Sequence, residues 1–427
     1  MLALTGATGF FGSHFLAAYL TAHPRARIIV LGRDAPRRTR DRLHTALRAT
    51  GRPLDSTHLQ RVTPLRINLA DECLGLDSRA YTALADRITA LCHFAGHIGL
   101  DAPLDVLRTV NVTGTAHLLH LARAAGPRLS FLHISTAYVA GTRRCGTAPE
   151  AIIRPPEGFL SPYEESKYEA ECLVHQYAAR TGRLAVIARP SLLVTDRPQQ
   201  PGAPQSPLRR LGAGAANVQR ISTRAGERGL CNPECPVTAR IPGAPHATLN
   251  LLQVEHAAQA AVHLSRCTSR RRGSAKVVHL VHPHQVAIPA LLDALTTAHL
   301  PGLRLTLTAQ VTDPTPLEKL LQHMSQGAHL YTHLNRRYDR TQYLRHLRQL
   351  PDPPDLTPAY LLRAFAPPGS TAPPRPLAHP RSERNGSTHA DHPTPLRQAI
   401  EERDRPHRRA TRPGPAPPPA TSERRCP

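Results

Sequence analysis

Three glycines near the start of the chain restrict its fold more than any other feature. Residues 5–12 read TGATGFFG, which sets Gly6, Gly9 and Gly12 at a three-residue spacing. A short apolar run, Leu2–Thr5, precedes them, and a helix-periodic segment from Phe11 to Thr21 follows. In a strand-to-helix turn such glycines have separate uses. The first permits a tight turn, the second lets the backbone approach a pyrophosphate, and the third lets helix and strand pack closely. The helix N-terminus then faces the negative charge.

The first half of the chain continues this alternation. Arg27–Leu31 predicts a buried strand and Arg37–Thr50 an Arg-rich helix. Val62–Ile67 and Ala90–His93 predict strands, Asp105–Ala125 a helix, and Ser130–Ser135 a strand. Pro162–Arg180 predicts a helix and Ala185–Arg189 a strand. This order implies the α/β class, with a Rossmann-type doubly wound parallel sheet covered on both faces.

Two stretches break the pattern. Arg197 to about Pro245 is rich in Pro, Gly, Arg and Ser without clear periodicity, and reads as a long loop with at most short helices. Pro367–Pro427 holds 15 prolines in 61 residues, and its only aliphatic residues larger than Ala are Leu377, Leu396 and Ile400. Such a segment cannot bury enough apolar surface to offset its ordering entropy. The expected organisation is a nucleotide-binding domain at 1–196 and a low-complexity loop or partial substrate pocket at 197–245. A C-terminal half with a smaller substrate-binding subdomain follows at 246–350, then a Pro/Arg-rich, mostly disordered tail at 351–427.

Cofactor choice turns on the end of the second strand. A ribose-binding carboxylate is expected about 20 residues after the glycines. That position is Gly32, followed by Arg33, in IIVLGRD. A guanidinium suits a 2′-phosphate through bidentate contacts. NADP(H) is therefore favoured. NAD(H) is the alternative, because Asp34 takes the ribose role if the strand ends two residues later. Arg37 and Arg38 either assist Arg33 or occupy an exposed helix face.

Residues 161–171 read SPYEESKYEAE, with Tyr163 and Lys167 four apart on one helix face. An ammonium near a phenol favours the phenolate and lowers its pKa, so that the tyrosine exchanges protons with a carbonyl or alcohol near neutral pH. Lys167 sharpens this otherwise weak motif, since it is one of three lysines among 54 basic residues. Upstream, HISTAYVAG puts Ser135 and Thr136 just past a strand, where their hydroxyls either bond a reacting oxygen or cap a turn.

The formal charge of +23 raises the question of nucleic acid. The basic residues are spread along the chain and no nucleic-acid module is visible, so an arginine-favouring codon bias explains the charge better. No run of 18 apolar residues and no leader pattern occurs, which predicts no membrane span, no signal peptide and a cytoplasmic protein. Cys231 and Cys235, with His246 and His256 nearby, match no standard zinc spacing, and no metal is expected. Arg270–Arg272 reads as a solvated loop, with a contact to CoA phosphate or an acidic carrier as the alternative.

TGATGFFG, LCHFAG, NVTGTAHLL, HISTAYVAG, YEESK and ARPSLLVTD occur in order. Together they resemble the extended short-chain dehydrogenase/reductases of the epimerase/dehydratase superfamily. INLADECLGLDSRAYTALADRITALCHFAG, ATLNLLQVEHAAQAAVHL and KVVHLVHPHQVAIPALLDAL are similar to its thioester-reductase and fatty acyl-CoA reductase (male sterility-like) branch. The resemblance implies Tyr163 as proton donor, Lys167 on the nicotinamide ribose, and Thr136, or alternatively Ser135, orienting the carbonyl. It implies Gly6, Gly9 and Gly12 at the pyrophosphate, with Thr8 and Phe10 lining the turn. Asn68 and Leu69 fall near adenine, Ala95 and Gly96 along the cofactor, and Pro190 and Ser191 near the nicotinamide. Asn111 braces the active-site helix. Asn68 stands where relatives usually have Asp, and His-Phe-Ala-Gly replaces a commoner form with Asn.

The activity so implied is NADPH-dependent reduction of an acyl thioester or related carbonyl. With no adenylation or carrier domain attached, the substrate is expected to be an acyl-CoA or a separate acyl carrier protein. Oligomeric state is left open. The first alternative is a sugar-nucleotide epimerase or dehydratase; Ala137 and Tyr138, where dehydratases carry an acidic pair, argue against 4,6-dehydration. The second is a non-catalytic dinucleotide sensor, against which the retained Tyr163 and Lys167 argue.

Overall fold

Side chains alternate across a strand, and the first strands use both faces. Leu2 and Leu4 enter one apolar cluster with Ile28 and Val30, while Ala3 enters the opposite one with Ile29 and Leu31. A sheet apolar on both faces must be covered on both. The protein is represented by a computed structural model that describes residues 1–155, 157–198, 200–224, 236–266 and 274–366.

Its centre is a parallel sheet of β1 (Leu2–Thr5), β2 (Ile28–Gly32), β3 (Val62–Arg66), β4 (Ala90–His93), β5 (Ser130–Ile134), β6 (Ala185–Pro190) and β7 (Lys276–Leu280). The order is β7-β6-β5-β4-β1-β2-β3. The chain winds outward from β1 to β3, then crosses back to lay β4 on the other side of β1. The crevice at this reversal, beyond the carboxyl ends of β1 and β4, is where ligands bind in such sheets. One face is covered by helices α1 (Phe10–Ala22), α2 (Pro36–Arg48) and Val254–Ser265, through residues such as Phe15, Leu43 and Ala257. The other is covered by helices Ser78–Arg87, Gly114–Ala124 and α3 (Pro162–Thr181), through Leu84, Leu118 and Val174.

Three sequence expectations are corrected. The segment 105–125 is not one regular helix. An α-helical turn, Leu104–Arg108, passes into a π-helical stretch, Thr109–Thr113, before the helix Gly114–Ala124. The irregular stretch carries Asn111, whose side chain accepts from the His97 N–H (2.8 Å) and donates to the His97 carbonyl (3.0 Å) and Ser166 Oγ (2.9 Å). Such bulges often occur at functional sites.

The second correction concerns 197–245. Its described part is not loop but contains the 18-residue helix α4 (Pro207–Arg224). Leu208, Leu211, Ala215 and Val218 recur at helical spacing and pack into the small apolar clusters of the C-terminal half. Pro207 sits at the helix start, where its missing N–H leaves no bond unmade. The strand Val237–Pro242 pairs in parallel with Leu303–Thr308. Within the segment read as tail, Pro358–Phe365 forms a helix with Tyr360, Leu361 and Phe365 buried against Ile288–His299. Cys231, Cys235, Arg270–Arg272 and residues 367–427 lie outside the described residues.

α3 is fixed to the sheet by a buried ion pair. Arg189 on β6 donates through Nε (2.8 Å) and Nη2 (2.6 Å) to the two carboxylate oxygens of Glu171, with both side chains buried. It also reaches the Ala151 carbonyl (2.9 Å). Removing one partner of such a pair leaves an uncompensated buried charge. Glu171→Ala is expected to cost about 3–5 kcal/mol, read as a lower urea midpoint with an unchanged slope.

Candidate active site

The β1–α1 turn is crowded backbone. Gly6 has φ +72°, and a Cβ there would lie 2.5 Å from the Ala95 nitrogen. A Cβ on Gly12 would lie 2.1 Å from the Gly6 carbonyl oxygen. The Gly9 N–H donates to that same oxygen at 3.0 Å, closing the turn. α1 begins at Phe10 with Gly9 as N-cap, no side-chain cap bond and no acid in the first turn. Its free N–H groups therefore point at the crevice, as anion binding requires.

A cavity of about 710 Å³ opens on this turn. It brings together Gly6, Gly9, Phe10, Gly12, Ala95, Gly96, Ser135, Thr136, Tyr163, Lys167, Pro190 and Ser191. The other sequence candidates stand outside its lining. Thr8 is half-buried on the turn. Arg33 is exposed just after β2. Asn68 is exposed, its Oδ1 accepting from the Ala70 N–H, and the Leu69 carbonyl meets His117 Nδ1 (2.9 Å). Asn111 is buried, with its amide committed to His97 and Ser166.

β2 ends at Gly32, and Asp34 lies beyond it. Arg42 donates to the Asp34 carboxylate and Arg38 approaches within 3.8 Å. The Arg42 hydrogen bond holds the Asp34 carboxyl below its usual range. The region around Arg33 is thus rich in arginine, and Asp34 is already bonded.

Lys167 is buried, and its Nζ donates to the Ile134 carbonyl (2.7 Å) with His133 Nε2 at 3.5 Å. Burial lowers its pKa to about 8, opposed by the Glu171 charge. Thr136 caps the turn Ala137–Ala140 by accepting from the Tyr138 N–H (3.2 Å), and also hydrogen-bonds Tyr163. Its hydroxyl thus fills the turn-capping role that the sequence allowed.

The expected lowering of the Tyr163 pKa by Lys167 is corrected. In the protein by itself the phenol is pushed up, first by burial and then by the Glu164 charge, while Thr136 and Arg210 oppose the shift. Lys167 is bonded to β5 instead of the phenol. Ser135 Oγ and Ser191 Oγ are buried in the cavity wall without a hydrogen-bond partner among the described residues. Buried hydroxyls usually find partners. Together with the glycine cradle, these two fit a ligand that supplies polar atoms.

Sequence reasoning missed four residues. Arg210 on α4 lines the cavity and faces Tyr163 electrostatically. Tyr138 and Tyr331 line it too, and Glu164 is buried behind the latter. Arg210 was within reach, because the leucine spacing around it marks a helix; Tyr331 lies 168 positions from Tyr163 and carried no signal. Away from the turn the cavity is largely apolar, with Leu211, Val218, Leu291, Leu305 and Met324. No group of three or more metal-binding side chains occurs among the described residues, and no described helix is long and apolar enough to cross a membrane.

The profile of the male sterility protein family matches residues 4–221. An isonitrile lipopeptide synthase of Streptomyces coeruleorubidus is 33% identical over 180 residues, covering 42% of this chain and 12% of that protein. The first curated relatives are far longer, and the aligned part spans a fifth or less of each. Among solved structures, the terminal R domain from the myxalamid PKS-NRPS pathway superposes with a TM-score of 0.65 at 23% identity, over 85% of this chain and 89% of that one. UDP-glucuronic acid 4-epimerase from Bacillus cereus, solved with NAD, gives 0.55 at 18% identity over 85% and 97%. These likenesses support the fold.

Lys167 supplies a pH test. Its ammonium is present below about pH 8 and is lost as pH rises through that value. If the ammonium holds the cofactor ribose, dinucleotide affinity weakens above pH 8. Fluorescence titration of the reduced dinucleotide from pH 6.5 to 9.5 reads this, and Lys167→Met abolishes the dependence.

Proposed function

Because the chain belongs to the male sterility protein family, of the extended short-chain dehydrogenase/reductase type, we propose that it is an NADPH-dependent reductase of acyl thioesters. The observation that carries this reading is one continuous cavity. It runs from the glycine turn past Tyr163 and Lys167 into the apolar end lined by the C-terminal half. An apolar funnel suits an acyl chain, whereas a sugar nucleotide needs polar partners along its length. The acyl group is carried on CoA or on an acyl carrier protein.

The residues present fit a dinucleotide. Gly6, Gly9 and Gly12 leave room for a pyrophosphate, and the α1 N-terminus meets its charge. Ala95 and Gly96 continue the cradle after β4. Pro190 and the unbonded Ser191 hydroxyl border the nicotinamide end. Arg33, with Arg38 and Arg42 near it, favours a 2′-phosphate over a bare ribose; NAD(H) is the competing cofactor. When bound, the dinucleotide supplies the hydride.

The protein's own groups orient and stabilise. Thr136 and Ser135 offer hydroxyls to the substrate carbonyl. Tyr163, with its phenol held protonated, donates to the oxygen as negative charge develops there. The Arg210 cation favours the resulting phenolate, and the Lys167 ammonium, bonded to Ile134, would hold the ribose. Asn111 holds α3 through Ser166, which keeps Tyr163 in register with the sheet.

Oxidation of NADPH or NADH, followed at 340 nm with acyl-CoAs, aldehydes and UDP-sugars, tests the assignment. Acyl-CoA is expected to drive NADPH oxidation, and Tyr163→Phe to lower kcat by about 10²–10⁴-fold. Turnover of a UDP-sugar with no response to any thioester overturns the reading. Arg33→Ala is expected to weaken NADPH binding by about 1.5–3 kcal/mol and to leave NADH binding unchanged.

A further inference from the structure

Thioester reduction needs more acid than Tyr163 supplies. Tyr163 protonates the oxygen when hydride arrives, then takes that proton back as the hemithioacetal collapses to an aldehyde. The proton consumed overall ends on sulfur. An alkyl thiolate, whose conjugate acid ionises near pH 8.5, is a poor free anion in an apolar cavity. This inference rests on the thioester reading above.

A second acid stands beside the first. Glu164 follows Tyr163 on α3 and is fully buried. Its Oε2 accepts from the Leu160 N–H at 2.9 Å, while its Oε1 is buried with no hydrogen-bond partner among the described residues, close enough to the Tyr331 hydroxyl for each to shift the other's pKa. Tyr331, from the turn Ala328–Tyr331, lines the cavity and packs edge-on against Tyr138 with ring centres 4.8 Å apart. Its hydroxyl lies 3.4 Å from Ser161 Oγ.

The other titratable and charged groups facing Glu164 are Tyr163, Arg336, Tyr138 and Tyr338. The Arg336 guanidinium donates to the Tyr338 hydroxyl (2.9 Å) and to the Gly141 (2.6 Å) and Arg143 (3.2 Å) carbonyls. It lies over both rings, Tyr138 and Tyr338, at 5.5 Å. These bonds use Nε and Nη1; Nη2 is buried without a hydrogen-bond partner among the described residues, and the guanidinium acts on the Glu164 carboxylate through its charge. Burial prevails and raises the Glu164 pKa to about 7, so the group carries an exchangeable proton at neutral pH.

We propose that Glu164 and Tyr331 form a second proton path, in which the Tyr331 hydroxyl protonates the departing sulfur and Glu164 resupplies Tyr331. The balance is complete. A bound reduced dinucleotide would supply the hydride for the new C–H bond; the C–S bond breaks, and its electron pair stays on sulfur. The Tyr331 proton moves to sulfur, the Glu164 proton moves to Tyr331, and solvent reprotonates Glu164. The products are an aldehyde, a free thiol and the oxidised dinucleotide.

The test compares two thioesters with one acyl group: acyl-CoA, whose thiolate needs a proton, and the S-phenyl thioester, whose thiolate leaves without one. Glu164→Gln and Tyr331→Phe are each expected to lower kcat on acyl-CoA about 10²-fold and on the phenyl thioester about threefold at most. The wild-type rate on acyl-CoA declines as pH rises through the Glu164 titration, and Glu164→Gln lacks that limb. NADPH affinity and thermal midpoint report folding, and Tyr331→Phe carries the comparison alone if Glu164→Gln is unstable. Equal loss on both thioesters overturns the proton path while leaving thioester reduction standing. Wild-type turnover of neither thioester overturns thioester reduction and this path with it.

Discussion

The close contact between the β1–α1 turn and the end of β4 is the constraint on which the rest depends. Thr5, buried at the last position of β1, uses one hydroxyl to tie three groups of the neighbouring strand. Its Oγ1 accepts from the Phe94 and Ala95 N–H groups (both 3.2 Å) and meets His93 Nδ1 at 2.8 Å. Gly6 can follow at positive φ only because it has no Cβ to strike Ala95. This approach closes the floor of the crevice at the point where the strand order reverses. It also sets the distance between α1 and the β4 loop, and so the width of any cofactor channel.

A second set of contacts aligns the chemical groups with that floor. α3 is tied at three heights: Asn111 to Ser166, Lys167 to the Ile134 carbonyl, and Glu171 to Arg189. Each tie reaches a different neighbour, so the helix can neither slide nor rotate without breaking a buried polar bond. Tyr163 sits one turn ahead of Lys167 and inherits this position. Buried polar bonds of this kind hold a unique geometry because leaving any of them unmade costs the full desolvation of the group.

The C-terminal half contributes volume and apolarity to the cavity. Its helix Val254–Ser265 packs on the sheet itself, whereas the small clusters around Ile288–His299 and Leu303–Thr308 are separate from those of the sheet. Small separate cores open more readily than a large continuous one. A wall built this way suits a chain-shaped ligand that must enter and leave, while the rigid sheet keeps hydride donor, phenol and carbonyl aligned.

Local signals were enough for much of this. The glycine spacing, the strand and helix alternation and the Tyr163–Lys167 spacing all lie within short windows, so their geometry follows from backbone periods alone. The sheet and most of its covering helices were therefore legible to residue 196; the helix Ser78–Arg87 was not anticipated, nor was the π-helical stretch at Asn111, whose side chain bonds a partner 55 positions away. Helix α4 was hidden by the surrounding Gly, Pro and Arg, although its leucines keep helical spacing. What only tertiary structure decided is the company each group keeps. The pKa direction of Tyr163 reversed because burial and Glu164 outweigh a lysine that bonds the sheet instead. Glu164 carried no signal in the sequence; only folding, which brings Tyr331, Arg336 and Tyr138 beside it, removes its water. Periodicity determines which face a side chain occupies; the dielectric and the partners on that face exist only after folding.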